Sequence, residues 1–208
     1  MTRHLLRGLY AITDESLMPE NNFLDSAEQA LLGGARLLQY RDKSHDQNKR
    51  LLQASALKQY CQRHGALLII NDDIDLALQV QADGIHLGED DASIDLARRI
   101  LGSNAIIGIS CYNQLELALQ AETAGADYVA FGAFFTSPTK PNARVATLEL
   151  LQAAKQQLRI PVCAIGGITT NNAGMLVEHG ADMTAVISDL FSSDDICTSA
   201  SHIARLFS

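Results

Sequence analysis

Three observations predict an α/β fold, a compact single-domain (β/α)8 TIM barrel over residues 1–208. Short apolar runs alternate with longer helical patterns along the whole chain, and the number of such units is eight. No GxGxxG pattern follows the first strand, as a dinucleotide-binding open sheet would require. Polar residues follow many of the strands, and a closed barrel gathers all eight strand ends around one mouth.

Each predicted strand is a short apolar run, and a helix-like segment separates it from the next. The expected strands are 8–13, 35–41, 67–71, 84–88, 105–110, 128–132, 161–166 and 183–188. The expected helices are 23–33, 46–63, 73–80, 93–101, 113–124, 147–157, 170–179 and 194–207.

Two local signals support this division of the chain. In the segment 46–63, Ser44 and Gln47 suggest a capping box, and one face carries Leu51, Ala54, Leu57 and Cys61. Several helices end at a glycine followed by a small and a polar residue, as in Gly34-Ala35-Arg36, Gly125-Ala126-Asp127 and Gly180-Ala181-Asp182. Glycine at such a position can adopt the left-handed conformation that ends a helix.

Composition restricts the possible partners. The formal charge is −8, from 24 acidic against 16 basic residues, so we expect neither nucleic acid nor membrane as a partner, but small molecules. The four cysteines lack metal-ligand spacing, and we expect a reducing, cytoplasmic setting without disulfides. No signal peptide or membrane span is expected. Nothing in the sequence predicts the oligomeric state.

Two apolar runs end in carboxylates, at Asn71-Asp72-Asp73 and at Glu89-Asp90-Asp91. If the two strands are parallel neighbours, Asp72 and Asp91 lie side by side and suit Mg²⁺, which binds a few carboxylates and completes its coordination with water and substrate phosphates. The alternative for Asp72 and Asp73 is capping of the next helix, and for Asp73 we prefer it.

The end of strand two places Gln39, Arg41 and Lys43 on one side by the period of two. Two cations and an amide suit a diphosphate attached to a polar heterocycle, although a surface turn explains them equally well. Ser110 follows strand five and either donates to a phosphate or caps a helix. His86, within strand four, is expected to be a bonded core residue rather than a base.

The remaining candidates lie in loops. Ser137, Thr139 and Lys140 form a possible anion clamp in the one long loop, although an ordinary loop with an exposed lysine explains them too. After strands seven and eight, backbone amides near Gly167 and near Ile187-Ser188 would form the phosphate cradle that recurs in this fold.

Seven short elements occur in order along the chain: Gln39-Tyr40-Arg41-Asp42-Lys43, Asn71-Asp72, His86-Leu87-Gly88-Glu89-Asp90-Asp91, Gly108-Ile109-Ser110, Thr139-Lys140, Ile165-Gly166-Gly167-Ile168-Thr169 and Val186-Ile187-Ser188. Together they resemble the thiamine-phosphate synthase family over nearly the whole chain. The resemblance implies a Mg²⁺-dependent (β/α)8 barrel that joins hydroxymethylpyrimidine diphosphate to a thiazole phosphate, or to its carboxylated form, and releases pyrophosphate.

The resemblance also implies a role for each site residue. The pyrimidine diphosphate would be held by Gln39, Arg41, Lys43, Asn71, Ser110 and Lys140. Of these, Arg41, Lys43 and Lys140 would act in catalysis by stabilising the leaving pyrophosphate. Asp72 and Asp91 would bind Mg²⁺. The thiazole phosphate would be held by Ser137, Thr139, Gly167, Ile187 and Ser188.

Two departures from the family pattern favour a non-catalytic relative. The loop reads Thr136-Ser137-Pro138, with its proline displaced, and Asp189 follows Ser188 where a small residue is usual; we expect the Asp189 side chain to point outwards. The alternatives are a thiazole tautomerase, a non-catalytic relative that binds the thiazole or pyrimidine phosphates, and, more distantly, a Schiff-base aldolase that uses Lys43 or Lys140.

Overall fold

Eight parallel strands close into a barrel in sequence order, with β1 paired to β2 at one seam and to β8 at the other. The computed structural model describes residues 5–88, 91–135 and 145–208. The strands are β1 Gly8–Ile12, β2 Leu37–Tyr40, β3 Leu67–Asn71, β4 Gly84–Leu87, β5 Ile106–Tyr112, β6 Tyr128–Phe131, β7 Val162–Ile165 and β8 Met183–Val186. The predicted fold class is confirmed.

The helices lie between the strands and surround them. They are α1 Phe23–Leu32, α2 Gln47–His64, α3 Ile74–Gln79, α4 Ile94–Leu101, α5 Leu115–Thr123, α6 Leu148–Gln157, α7 Ala173–Glu178, α8 Ser188–Phe191 and α9 Ile196–Ala204, and a 3₁₀ turn follows at Arg205–Phe207. No helix within the described ranges is long and apolar enough to cross a membrane.

Strand side chains alternate between two apolar regions, as the period of two requires. In β1, Tyr10 and Ile12 join the interior of the barrel, whereas Leu9 and Ala11 join the layer between strands and helices. The interior also contains Leu37, Leu67, Ile69, Ile106, Tyr128, Ala130, Cys163, Met183 and Ala185. The outer layer is larger, because every helix contributes to it.

The prediction for α2 is partly wrong. Asp46, rather than a Ser44–Gln47 capping box, caps this helix by accepting a hydrogen bond of 2.9 Å from the Lys49 amide. Ala54, Leu57 and Cys61 are buried as predicted, but Leu51 is 37% exposed. The spacing of apolar residues shows which of them share a helix face. It does not show how far the neighbouring elements cover that face, and at Leu51 they leave its edge in solvent.

The end of β8 also differs from the prediction. The strand stops at Val186, and Ile187 has φ −119° and ψ −83°, which is incompatible with a continued strand. Ser188 therefore starts the short helix α8. The apolar pair Val186-Ile187 led to the prediction that the strand continues to residue 188. The predicted glycine ends of the helices are confirmed, since Gly34, Gly125 and Gly180 have φ of 100°, 93° and 101°.

All four cysteines are free thiols. Burial raises the pKa of the Cys61 and Cys111 thiols to about 12, so both are protonated packing groups.

Candidate active site

The carboxyl end of β2 places polar side chains on both sides of the barrel wall. Gln39 faces the interior and is 3% exposed. Arg41 and Lys43 follow it at the rim, where their side chains are 33% and 53% exposed. Thr13 fixes the rim, because its Oγ1 accepts from the Arg41 amide at 2.9 Å and donates to the Arg41 carbonyl at 3.2 Å.

The loop after β3 begins with a bend at Asp72. Its φ of 62° is left-handed, a conformation that aspartate tolerates better than most residues, and its amide donates to the His86 carbonyl at 2.9 Å. The bend turns the Asp72 side chain towards Lys43, whose Nζ lies 2.6 Å from Asp72 Oδ2. Asp73 instead caps α3 by accepting from the Leu76 amide at 2.9 Å, so the prediction for Asp73 is confirmed.

Asp72 and Asp91 form a carboxylate pair across the ends of β3 and β4. Asp91 Oδ2 accepts from the Gly88 amide at 2.6 Å, and the two carboxyl groups are within hydrogen-bonding reach of each other. Burial opposes ionisation of Asp72, but hydrogen bonds from Lys43 and other neighbours outweigh it and lower its pKa. Burial raises the pKa of Asp91, and the adjacent Asp72 carboxylate adds to the rise.

These residues fit a magnesium ion. Two carboxylates on separate loops repel each other, and a divalent cation between them relieves that repulsion. Among the described residues no group of three or more His, Cys, Asp or Glu side chains is arranged to hold a metal. Two protein ligands leave most of the coordination sphere to water and substrate, as is usual for Mg²⁺.

Ser110 is linked to Gln39 through the barrel interior. The prediction that it ends strand five is wrong, because β5 continues past an irregularity in its pairing to Tyr112. The Ser110 Oγ lies 2.9 Å from His86 Nε2, and His86 Nδ1 lies 2.9 Å from the hydroxyl of Tyr128. The Tyr128 hydroxyl lies 2.8 Å from that of Tyr10, which accepts from Gln39 Nε2 at 2.8 Å.

His86 is a bonded interior residue, as the sequence analysis expects. It is 9% exposed and stacks on Tyr128 with ring centroids 5.6 Å apart. Burial lowers the pKa of His86 to about 4, so the ring is neutral at neutral pH.

The loops after β7 and β8 meet at the opposite side of the mouth. Gly167 has φ 63°, and its carbonyl accepts from Asn172 Nδ2 at 3.0 Å. Asp189 Oδ2 accepts from the Thr170 amide at 2.8 Å. The half-buried Asp189 carboxylate thus ties the two loops together. Ile187 contacts the interior cluster, immediately before α8.

Three predicted site residues, Ser137, Thr139 and Lys140, lie outside the described residues. The segments on either side of them meet, since the Ala146 amide donates to the Ala133 carbonyl at 2.8 Å. Asn71, by contrast, ends β3 beside the carboxylate pair and donates to Asp72. The roles assigned to all the predicted site residues stay predictions.

Sequence reasoning missed four residues that shape this site: Thr13, Tyr10, Tyr128 and Asn172. The sequence contains only weak indications that these four residues belong to the site. Tyr10 and Tyr128 occupy inward positions of strands that also contain apolar residues, and nothing in either strand shows that their hydroxyls meet. Asn172 is three residues after Thr169, whose amide it caps at 2.7 Å, and this local spacing is a recognisable turn signal.

Comparison with known proteins identifies the family. The family model described as thiamine monophosphate synthase matches residues 9–190. The chain belongs to this family. The thiamine-phosphate synthases of Thioalkalivibrio sulfidiphilus and Nitrosococcus oceani are each 52% identical to the chain. The first alignment covers 99% of the chain and 98% of the relative, and the second covers 97% and 93%.

A solved structure agrees with this family membership. The thiamine phosphate pyrophosphorylase from Pyrococcus furiosus superimposes with a TM-score of 0.90 at 38% identity, over 100% of this chain and 98% of that one. These family relatives are named as synthases or a pyrophosphorylase, and none of the three is named as a tautomerase.

Proposed function

We infer that this chain joins hydroxymethylpyrimidine diphosphate to a thiazole phosphate, giving thiamine phosphate and pyrophosphate. The deciding observation is the 52% identity to thiamine-phosphate synthases over almost the entire chain. The mouth of the barrel supplies what the reaction needs, with cations, a carboxylate pair and interior hydrogen-bonding groups at the ends of neighbouring strands.

The reaction exchanges one bond for another at the pyrimidine methylene carbon. The C–O bond to the diphosphate breaks, and its electron pair leaves with pyrophosphate. The thiazole nitrogen then supplies the lone pair for the new C–N bond. Because the electron-rich aminopyrimidine stabilises the intermediate cation, the chain has to position its substrates and stabilise negative charge rather than provide a strong base. The buried, neutral His86 is consistent with that requirement.

Arg41 and Lys43 are proposed to stabilise the charge that develops on the leaving group, together with Lys140. Both described cations are at the rim of β2. The Lys43 ammonium contacts Asp72 of the carboxylate pair, and the Arg41 guanidinium lies 4.0 Å from the Asp14 carboxylate. Gln39, Asn71 and Ser110 would complete the pyrimidine diphosphate site from the ends of β2, β3 and β5.

Asp72 and Asp91 are proposed to hold Mg²⁺. The support is the adjacency of the two carboxyl groups, and burial together with the neighbouring Asp72 carboxylate raises the pKa of Asp91. A bound Mg²⁺ would neutralise charge on the diphosphate and so assist its departure. Asp91 is held in place by the Gly88 amide independently of any metal.

The thiazole phosphate is proposed to bind on the far side of the mouth. The backbone amides of Gly167 after β7 and of Ile187 and Ser188 after β8 would bind the phosphate. The support is the Asp189–Thr170 hydrogen bond, which joins the two loops. Ser137 and Thr139 would contact the thiazole ring.

The proposal extends to setting and partners. We propose small phosphorylated substrates as partners and no nucleic acid, which the net charge of −8 repels; local cations such as Arg41 and Lys43 must overcome that charge for a substrate phosphate. Four free thiols require no oxidising compartment, so we propose a cytoplasmic location.

Pyrophosphate release from the purified protein tests the function. We expect release only when both substrates and Mg²⁺ are present. Release from the pyrimidine diphosphate alone would mean that the cation forms and that the thiazole side is impaired. Binding of both substrates without release would overturn the proposal in favour of a non-catalytic relative. Metal-independent proton exchange on the thiazole, without release, would instead indicate a tautomerase.

A further inference from the structure

Five polar side chains are joined by consecutive hydrogen bonds across the barrel interior, and we call this row of side chains the hydrogen-bond chain. The order is Gln39, Tyr10, Tyr128, His86 and Ser110, and each of the four links is 2.8 or 2.9 Å long. The three central residues are buried, at 1%, 0% and 9% exposure for Tyr10, Tyr128 and His86. Of the two ends, Gln39 is also buried, at 3% exposure, and Ser110 is half-buried.

The hydrogen bonds of this chain all run in one direction, from donor to acceptor. Gln39 donates to the Tyr10 hydroxyl. If Tyr128 also donated to Tyr10, the buried Tyr10 proton would have no acceptor among the described residues, at a cost of roughly 1–3 kcal/mol. Tyr10 therefore donates to Tyr128, and the Tyr128 proton goes to His86 Nδ1.

The direction continues through the imidazole ring. A neutral imidazole has one donor and one acceptor nitrogen. Since Nδ1 accepts from Tyr128, Nε2 bears the proton and donates to Ser110 Oγ. The Ser110 hydroxyl then has its own proton free for another acceptor.

We propose that Tyr10, Tyr128 and His86 are positioning residues that fix which hydrogen-bonding groups Gln39 and Ser110 present to the pyrimidine diphosphate. This rests on the proposed function, because it takes Gln39 and Ser110 as substrate contacts. Ser110 offers a proton to a diphosphate oxygen. Gln39 offers its carbonyl oxygen and its second N–H, which match the amino group and the adjacent ring nitrogen of an aminopyrimidine.

Gly108 leaves the space that the hydrogen-bond chain needs at Tyr128. It lies between His86 and Tyr128 in the strand register. A Cβ at Gly108 would lie 2.0 Å from Tyr128 Cζ and 2.4 Å from the Tyr128 hydroxyl oxygen. The missing side chain therefore lets the tyrosine lie against His86, and the stacked rings hold the hydroxyl in line with Nδ1.

The tautomer of His86 is the most direct test and needs no substrate. Nitrogen NMR of histidine-labelled protein identifies which ring nitrogen is protonated, and loss of one signal set in His86→Gln assigns it among the six histidines. We expect a proton on Nε2 in the unchanged protein. A proton on Nδ1 would overturn the proposed direction.

Gln39→Glu tests whether a change at one end of the hydrogen-bond chain reverses the donors and acceptors along all of it. A carboxylate only accepts, so at mildly alkaline pH the Tyr10 hydroxyl must donate to it and every link must reverse. We expect the His86 proton to move to Nδ1, although three hydrogen bonds separate the two side chains. In the Tyr128→Phe background the same change should have no effect on His86, because the hydrogen-bond chain is interrupted at residue 128.

Kinetics provide a second readout. Tyr128→Phe breaks the hydrogen bonds to Tyr10 and to His86; it should raise KM for the pyrimidine diphosphate by about tenfold or more and leave KM for the thiazole phosphate unchanged. Tyr40→Phe is the matched control. It removes the hydroxyl of another buried tyrosine, at 1% exposure, which donates to Gln53 at 3.0 Å and to Asp42 at 3.4 Å and is not part of the hydrogen-bond chain.

The proposal is overturned if Gln39→Glu leaves the His86 tautomer unchanged, or if Tyr128→Phe and Tyr40→Phe alter KM equally. Because the tautomer is read without turnover, a protein that shows the expected tautomers but releases no pyrophosphate contradicts the proposed function and not the direction of the chain. If Tyr128→Phe fails to fold, the single Gln39→Glu change still decides the question.

Discussion

The interior of the barrel and the layer between barrel and helices are built from the same strands but differ in chemistry. The outer layer is filled almost entirely by apolar side chains, such as Leu9, Leu38 and Leu57. The interior mixes apolar residues with the hydrogen-bonded tyrosines, and it opens at the mouth into the carboxylate pair. From this difference we expect the outer layer to provide most of the stability, and the proposed role of the interior is to orient the substrate.

The largest expected effect is at the open end of the interior. Asp91→Asn should reduce pyrophosphate release on the order of a thousandfold, because it removes half of the proposed metal site. The amide oxygen can still accept from Gly88, so thermal stability should be maintained. Release rates titrated with Mg²⁺ measure the change.

Asp73→Asn is the control for that substitution. Asparagine caps helices as well as aspartate does, so α3 should remain intact and release should stay within about twofold of the unchanged protein. Equal loss in both variants would contradict the assignment of the metal to Asp91.

The outer layer should show the opposite pattern. Leu57→Ala on α2 removes a fully buried side chain, at 0% exposure, and should lower the free energy of unfolding by about 3 kcal/mol. KM for both substrates should be unchanged at temperatures where the protein is folded. Urea denaturation gives the first quantity, and steady-state kinetics the second. A large change in KM would show that the two regions are not separable.

Gly108→Ala should affect both regions at once. The new methyl group overlaps the Tyr128 ring, so we expect a loss of about 1–3 kcal/mol in unfolding free energy together with a raised KM for the pyrimidine diphosphate. Gly174→Ala on α7 is the matched change, because the nearest atom to its Cβ is 3.9 Å away. It should stabilise the helix by up to about 1 kcal/mol and leave KM unaltered.

The smallest effect is expected on the outward side of the β2 end. Burial opposes ionisation of Asp42, but hydrogen bonds from Lys49 at 2.8 Å and from the Ser44 amide at 2.6 Å outweigh it and lower its pKa. A lowered pKa stabilises the fold above the unfolded-state value, and that stabilisation is lost as pH falls through the folded-state value.

Asp42→Asn should therefore cost about 1 kcal/mol at neutral pH and much less in acid. The measurement is the unfolding free energy of both proteins at neutral pH and near the bottom of the carboxylate range. A difference that grows on acidification would contradict the sign of the shift.

Much of the site was predictable because it depends on local periodicity and on neighbouring strands. Inward and outward positions of β2 follow from the period of two, so Gln39 separates from Tyr40 without any tertiary information. The proximity of Asp72 and Asp91 follows from the pairing of β3 with β4. The helix α8 was missed, because a four-residue helix has too little periodicity to distinguish it from a strand end.

By itself, the sequence determined the alternation of strands and helices, the glycine ends of helices and the polar character of the strand ends, since each depends on residues close in the chain. Only the tertiary structure decided that Tyr10 and Tyr128, 118 residues apart, share a hydrogen bond. Such a contact exists only after all eight strands close, because closure brings the inward side chains of β1 and β6 together across the barrel.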